Sequence, residues 1–215
     1  MTKECAQERA EQSTERRSSG RVATVFRPVL IDTEQLTSFC LVRNLSPFGL
    51  MGRVYTTLPH GTAISVRFHP ALTAEGSVAW SKDGQLGIRF DQPIDVDGVL
   101  SDLVRKLPDG KVSRAPRLPI QCKAELGIAD RTLVIELRDI SQRGIKACAS
   151  FVRPGDVVQV KIPGLEPRKA VVRWTRPELA GLHFVRPLSL DELAHWAIEQ
   201  QAGTRRPKRP DVLAC

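Results

Sequence analysis

Long hydrophobic runs are missing from this chain. No apolar stretch approaches the roughly 18 residues that cross a bilayer, and the N-terminus MTKECAQERAEQSTERR is too polar for a secretory signal. A cytoplasmic protein without membrane insertion is therefore expected. Cysteine is sparse: Cys5, Cys40, Cys122, Cys148 and Cys215 are odd in number, widely spaced and form no CxxC. This pattern indicates neither a disulfide framework nor a zinc site, and reads as reduced thiols, some of them buried. Catalytic signatures are absent too. His60, His69, His183 and His195 are scattered, with no HExxH, GxSxG, P-loop or GxGxxG, so no enzyme, metal or cofactor is expected.

What remains is an ordinary globular composition: 215 residues, 41% hydrophobic and 5% aromatic, long enough for one domain or two small ones. The net charge is +8, but Arg205, Arg206, Lys208 and Arg209 place half of it in the segment GTRRPKRP. Proline alternating with cations buries nothing, so residues 202–215 read as a basic disordered tail and specific nucleic acid binding is not expected.

The chain repeats itself. Arg21 recurs as Arg117, Asn44-Leu-Ser46-x-x-Gly49 as Asp139-Ile-Ser141-x-x-Gly144, and Gly61 as Gly155. Trp80 recurs as Trp174, Gly87-Ile-Arg-Phe90 as Gly181-Leu-His-Phe184, and Pro93 as Pro187, with offsets falling from 96 through 95 to 94. Two one-residue gaps are what loop variation between related domains produces, so the chain reads as two tandem copies of one fold.

Each copy alternates with period two over short runs: Ala63 to Phe68, Gly76 to Trp80 and Val157 to Ile162 read as strands punctuated by Gly, Pro, Asn and Asp. Many short strands in about 90 residues suggest a small antiparallel barrel or sandwich. A helix closes each copy. Val99, Leu100, Leu103, Val104 and Leu107 form one apolar face, and Ser189 with Glu192 forms a capping box before Leu193, Trp196 and Ala197. Trp80 and Trp174, each two residues after a Val, read as core. His183 alternates with Leu182 and Phe184 and reads as facing solvent or a barrel rim.

Chemistry concentrates in Arg16-Arg17-Ser-Ser-Gly-Arg21, followed 23 residues after Arg21 by Asn44-Leu-Ser46-Pro-Phe-Gly49. This pair resembles the RxxxR and [D/N]xSxxG motifs of the PilZ family, with Arg17 and Arg21 matching the first motif and Asn44, Ser46 and Gly49 the second. The resemblance implies a mainly β fold of two tandem six-stranded antiparallel barrels, each followed by a C-terminal amphipathic helix. It divides the chain into an arm (1–15), a first domain (16–107), a linker (108–113), a second domain (114–201) and the tail (202–215).

The resemblance also implies a ligand, the bacterial second messenger cyclic di-GMP. Its two phosphates and two guanines suit arginine, which clamps phosphate oxygens, forks onto guanine and stacks on a purine face. The arginine segment lacks apolar periodicity and is expected to be loose until ligand arrives. Asn44 and Ser46, two apart on a strand, share a face, while Gly49 supplies either a positive φ or room for close approach. Arg16, just before the motif, implies two stacked ligand molecules bound at the first domain.

The second copy departs where it matters, because Ser113 stands where Arg17 would. Arg114, Arg117, Asp139, Ser141 and Gly144 then form at most a weak second site, and the alternative reading of Asp139 is a structural strand end bonded to local backbone amides. The expected function is a cyclic di-GMP receptor that changes conformation or partner binding through its first domain. A downstream protein partner or self-association follows from that role. The alternative is a ligand-independent adaptor acting through protein contacts.

Overall fold

A computed structural model describes residues 23–69, 71–104 and 115–202. Among the described residues, twelve strands and two helices fall into two units of the same design. In the first, β1 (Ala23–Asp32), β2 (Thr37–Ser46), β3 (Gly49–Arg53), β4 (Ala63–His69), β5 (Leu72–Lys82) and β6 (Gln85–Phe90) close in the order β1-β2-β3-β6-β5-β4. Helix α1 (Val96–Val104) follows. In the second, β7 (Leu118–Ile128), β8 (Arg131–Ser141), β9 (Gly144–Cys148), β10 (Val157–Lys161), β11 (Arg168–Thr175) and β12 (Leu179–Phe184) close in the corresponding order. Helix α2 (Leu190–Ala202) ends the described chain. Every strand pairing is antiparallel, and closure removes the unpaired edges that an open sheet would expose.

The period-two strands bury one side chain in two, as in the eBiBiBe pattern of β4. Their inward residues make the barrel cores. Val29, Ile31, Cys40, Val42, Val66, Val78 and Leu86 fill the first, and Leu126, Leu137, Ile145, Val160, Val172 and Leu182 the second. Burial pushes the Cys40 thiol up to about 12. Gly61 and Gly155 recur for a backbone reason: both stand at left-handed φ, 80° and 98°, and their N–H groups donate to the cognate carbonyls of Val78 and Val172.

Helix α2 starts on the predicted cap, with the Glu192 N–H donating to Ser189 Oγ at 3.1 Å. The reciprocal half of the box differs. The Glu192 carboxylate accepts instead from Arg168 Nη2, at the start of β11, at 2.5 Å, and a guanidinium is the stronger donor. Trp196 anchors the helix to its own barrel, donating from Nε1 to the Pro163 carbonyl at 2.8 Å.

The same helix joins the two units. Leu30 and Phe39 pair across β1 and β2 and point out of the first barrel, yet they are 2% and 1% exposed and belong to the apolar cluster of the second. Around them Gln201 bonds the main chain of Thr37, Arg53 pairs with Asp191 at 3.3 Å, and Tyr55 meets the His195 ring edge-on at 5.3 Å. Burial, followed by the hydrogen bond and charge of Asp191, holds the Tyr55 hydroxyl well above the usual tyrosine range.

Candidate ligand site

The hairpin β2–β3 carries the second motif of the first copy at its tip. A bulge between Val42 and Asn44 resets the alternation, so Val42 and Leu45 both point into the core while Asn44 and Ser46 point out together. Ser46 Oγ donates to the Gly49 carbonyl at 3.0 Å and closes the tip, leaving Phe48 exposed. Gly49 is required by crowding rather than by φ: a Cβ there would stand 2.2 Å from the Ile88 carbonyl oxygen of β6. Beside Asn44, the Arg43 guanidinium lies 4.7 Å from the centre of the exposed Phe26 ring.

Strand register extends this site into a face. Asn44 is opposite Met51, Met51 opposite Gly87, and Gly87 opposite Trp80, so one transverse row crosses β2, β3, β6 and β5. The next row runs from Ser46 through Gly49 and Arg89 to Ser77. Trp80 is 42% exposed and Trp174 38%, which corrects their expected place in the core. The reason is a bulge between Val78 and Trp80, repeated between Val172 and Trp174, which breaks the period-two rule. Each indole instead covers a cross-strand glycine; a Cβ on Gly87 or on Gly181 would stand 2.1 Å from the indole nitrogen. Met51, Gly87 and Arg89 are face residues that sequence reasoning missed, although a Trp followed seven residues later by Gly in both copies was a visible signal.

Arg16, Arg17, Arg21 and Arg114 lie outside the described residues. The rest of the second-copy set is brought together. Arg117 Nε donates to Asp139 Oδ1 at 2.6 Å, and its other nitrogens reach Ser141 Oγ at 3.4 Å and the Gly144 carbonyl at 3.5 Å. Lys146 Nζ stands 2.8 Å from Asp139 Oδ2, and Ser141 Oγ donates to the Gly144 carbonyl at 3.2 Å. Asp139 is thus bound by two cations and not by local backbone amides. The difference between the copies is local: Lys146 faces Asp139 where Met51 faces Asn44.

His183 lies on the outer face of β12, between Gly144 and Val171 on the neighbouring strands. Partial burial, then the charges of Arg173 and Arg143, lower its pKa from the usual histidine value. Among the described residues no group of three or more His, Cys, Asp or Glu is placed to hold a metal ion, and no helix is long and apolar enough to cross a membrane.

Two small closed barrels, each with a polar motif at the tip of its second hairpin, define a tandem, mainly β architecture. The PilZ domain family matches this chain twice, over residues 15–107 and 111–198, and the chain belongs to that family. Among curated proteins none matches it significantly. Among solved structures it is similar to the Borreliella burgdorferi PlzA protein in complex with c-di-GMP, at 14% identity and a TM-score of 0.36, covering 88% of this chain and 98% of that one. It is also similar to the Bacillus subtilis inhibitor of motility MotI/DgrA, at 15% identity and a TM-score of 0.34 over 86% of this chain and 100% of that one. A third is YcgR in complex with c-di-GMP from Escherichia coli, at 15% identity and a TM-score of 0.29 over 83% and 86%.

Proposed function

We propose that this chain is a cyclic di-GMP receptor that binds its ligand on the first barrel, through Arg16, Arg17, Arg21, Asn44, Ser46 and Gly49. The observation that carries the reading is the pairing of Asn44 with Ser46 on one outward face, in a copy whose neighbouring position is the uncharged Met51. An amide and a hydroxyl there offer both donors and acceptors to a guanine edge, and the arginines preceding β1 supply the phosphate clamp. In the second barrel the cognate carboxylate is already held by Arg117 and Lys146. A cyclic dinucleotide there would have to compete with two internal ion pairs, without the arginine that Ser113 replaces. Binding at the second barrel is therefore weak or absent.

Two stacked molecules bind at the first barrel. They carry four phosphate charges, which a third guanidinium from Arg16 offsets. Ligand ordering of the arginine segment biases how the barrels sit on each other and presents an altered surface to a protein partner or a second copy. This requires that the ligand contact the two arrangements differently. Equilibrium titration of Arg16→Ala tests the stoichiometry: fewer molecules bound per chain at saturation is the expected result, and an unchanged end point contradicts it. Combining Asn44→Leu with Ser46→Ala tests the site, with a roughly tenfold or greater loss of affinity expected from two removed hydrogen-bonding groups. Unaltered affinity in that variant would place the ligand elsewhere, and no binding by the unmodified chain would favour the adaptor reading.

A further inference from the structure

The second barrel has rebuilt the face that the first barrel uses for its motif, and the register identifies the exchanges position by position. Lys146 stands at the position of Met51, each opposite the acidic or amide motif residue. Arg143 stands at the position of Phe48, just before the tip glycine. Arg173 stands at the position of Ala79, each lying within the bulge before the exposed Trp. His183 stands at the position of Arg89, each opposite the tip glycine. Three uncharged positions on one face are cationic in the second barrel, against one cation lost where His183 replaces Arg89 and one acquired carboxylate, Asp139.

That carboxylate is spent on Arg117 and Lys146. Arg143 and Arg173 are exposed, and among the described residues neither has a carboxylate within ion-pairing distance. They flank His183 from the β8–β9 turn and from β11, closely enough that their charges act on its ring. Like charges gathered on one surface without counter-charges raise the local potential and attract a polyanion.

The face suits phosphates better than an acidic protein. Protein interfaces centre on buried aromatic or aliphatic anchors, and the exchanges remove the apolar side chains of Met51, Phe48 and Ala79 from this face. Trp174, a large apolar group beside them, lies over Gly181 and faces the Arg176 guanidinium at 5.4 Å. A phosphate backbone needs only spaced cations and hydrogen-bond donors on an open surface. Two clefts on this barrel, lined by Gln121 to Lys123 with Val134 to Glu136 and by residues around Gly127 and Gln159, include none of Arg143, Arg173 or His183. We propose that the outer face of the second barrel around Arg143, His183 and Arg173 binds the phosphate backbone of a nucleic acid, without reading its sequence.

The test is fluorescence anisotropy of a labelled mixed-sequence DNA duplex with the full chain across a salt series. Binding that weakens with salt is expected. In Arg143→Gln/Arg173→Gln the log–log salt slope should fall by about two, roughly one per lost phosphate contact, with affinity at least tenfold weaker at low salt. A second variant, Arg143→Phe/Arg173→Ala, restores the residues of the first barrel and should behave alike, with circular dichroism reporting that both remain folded. The tail is controlled by changing Arg205, Arg206, Lys208 and Arg209 to Gln, which should leave the dependence on Arg143 and Arg173 in place. No DNA binding by the unmodified chain, or an unchanged slope in both double variants, overturns the proposal. So does polyglutamate competing as well as DNA of equal charge, which would assign the face to an acidic protein.

Discussion

Arg117 and Asp139, twenty-two residues apart in the chain, meet at 2.6 Å on the outer face of the second barrel and tie the start of β7 to β8. The carboxylate is 11% exposed and its second oxygen is taken by Lys146, whereas Arg117 remains 41% exposed. Removing Arg117 therefore weakens a charge-assisted contact without stranding Asp139. Arg117→Ala should lower the stability of the second barrel by about 1–2 kcal/mol, after discount for solvent screening at the arginine. Lys146→Met, which installs the residue of the first barrel, should cost less because Arg117 still holds the carboxylate. Urea unfolding of both variants measures the difference, and equal or negligible losses would show the clamp to be idle.

The contact between the barrels rests on a fully buried ring. Phe39→Ala removes a side chain that is 1% exposed beneath α2, and a cavity of that kind costs about 3–5 kcal/mol when the surroundings do not collapse. Here the two barrels can separate instead. The expected outcome is thus a larger radius of gyration in small-angle scattering, with both barrels still folded by circular dichroism. Scattering identical to that of the unmodified chain would mean that Gln201, Asp191 and His195 hold the interface without Phe39.

Much of this architecture was legible in the sequence because barrels obey a simple rule. Period-two runs, the recurring motifs and the recurring Trp and Gly positions were enough to give two copies of a small strand-rich fold. The misplacement of Trp80 and Trp174 has one cause, the bulge that each follows. An extra residue in one strand inverts which parity faces inward, and nothing in Val-x-Trp announces it. The outward burial of Leu30 and Phe39 was hidden for a different reason: both belong to strands apolar on both faces, and only the position of α2 says what covers the second face. Asp139 could not be distinguished from a local cap, because its partner Lys146 is set by register rather than by sequence distance.

Trp80 shares its transverse row with Asn44, so ligand bound at the motif changes the surroundings of an exposed indole. In a Trp174→Phe variant, cyclic di-GMP should alter the intrinsic fluorescence, with Trp80 as the reporter and the buried Trp196 silent. In a Trp80→Phe variant the change should vanish. A response that survives loss of Trp80 would place the ligand away from this face.

His183 should report the charge of the rebuilt face through its own titration. Burial and the charges of Arg173 and Arg143 place its folded pKa below the unfolded value, about 6.5, while Gly144 and Val171 beside it on the flanking strands carry no side-chain charge. The folded barrel therefore binds fewer protons than the unfolded chain. Stability is retained above the unfolded value and declines as pH falls through the lower, folded one. Arg173→Ala should raise the pKa read from the imidazole C–H resonance. No movement in that variant would separate His183 from the arginine.

The central claim is that cyclic di-GMP binds the first barrel through its arginines. Its most direct test is calorimetric titration of the full chain alongside Arg21→Ala and Arg117→Ala. The account predicts saturable binding by the full chain, a ten- to hundredfold loss in Arg21→Ala, from charge-assisted hydrogen bonds worth about 1.5–3 kcal/mol, and little change in Arg117→Ala. No binding by the full chain, or equal affinity in Arg21→Ala, would contradict it.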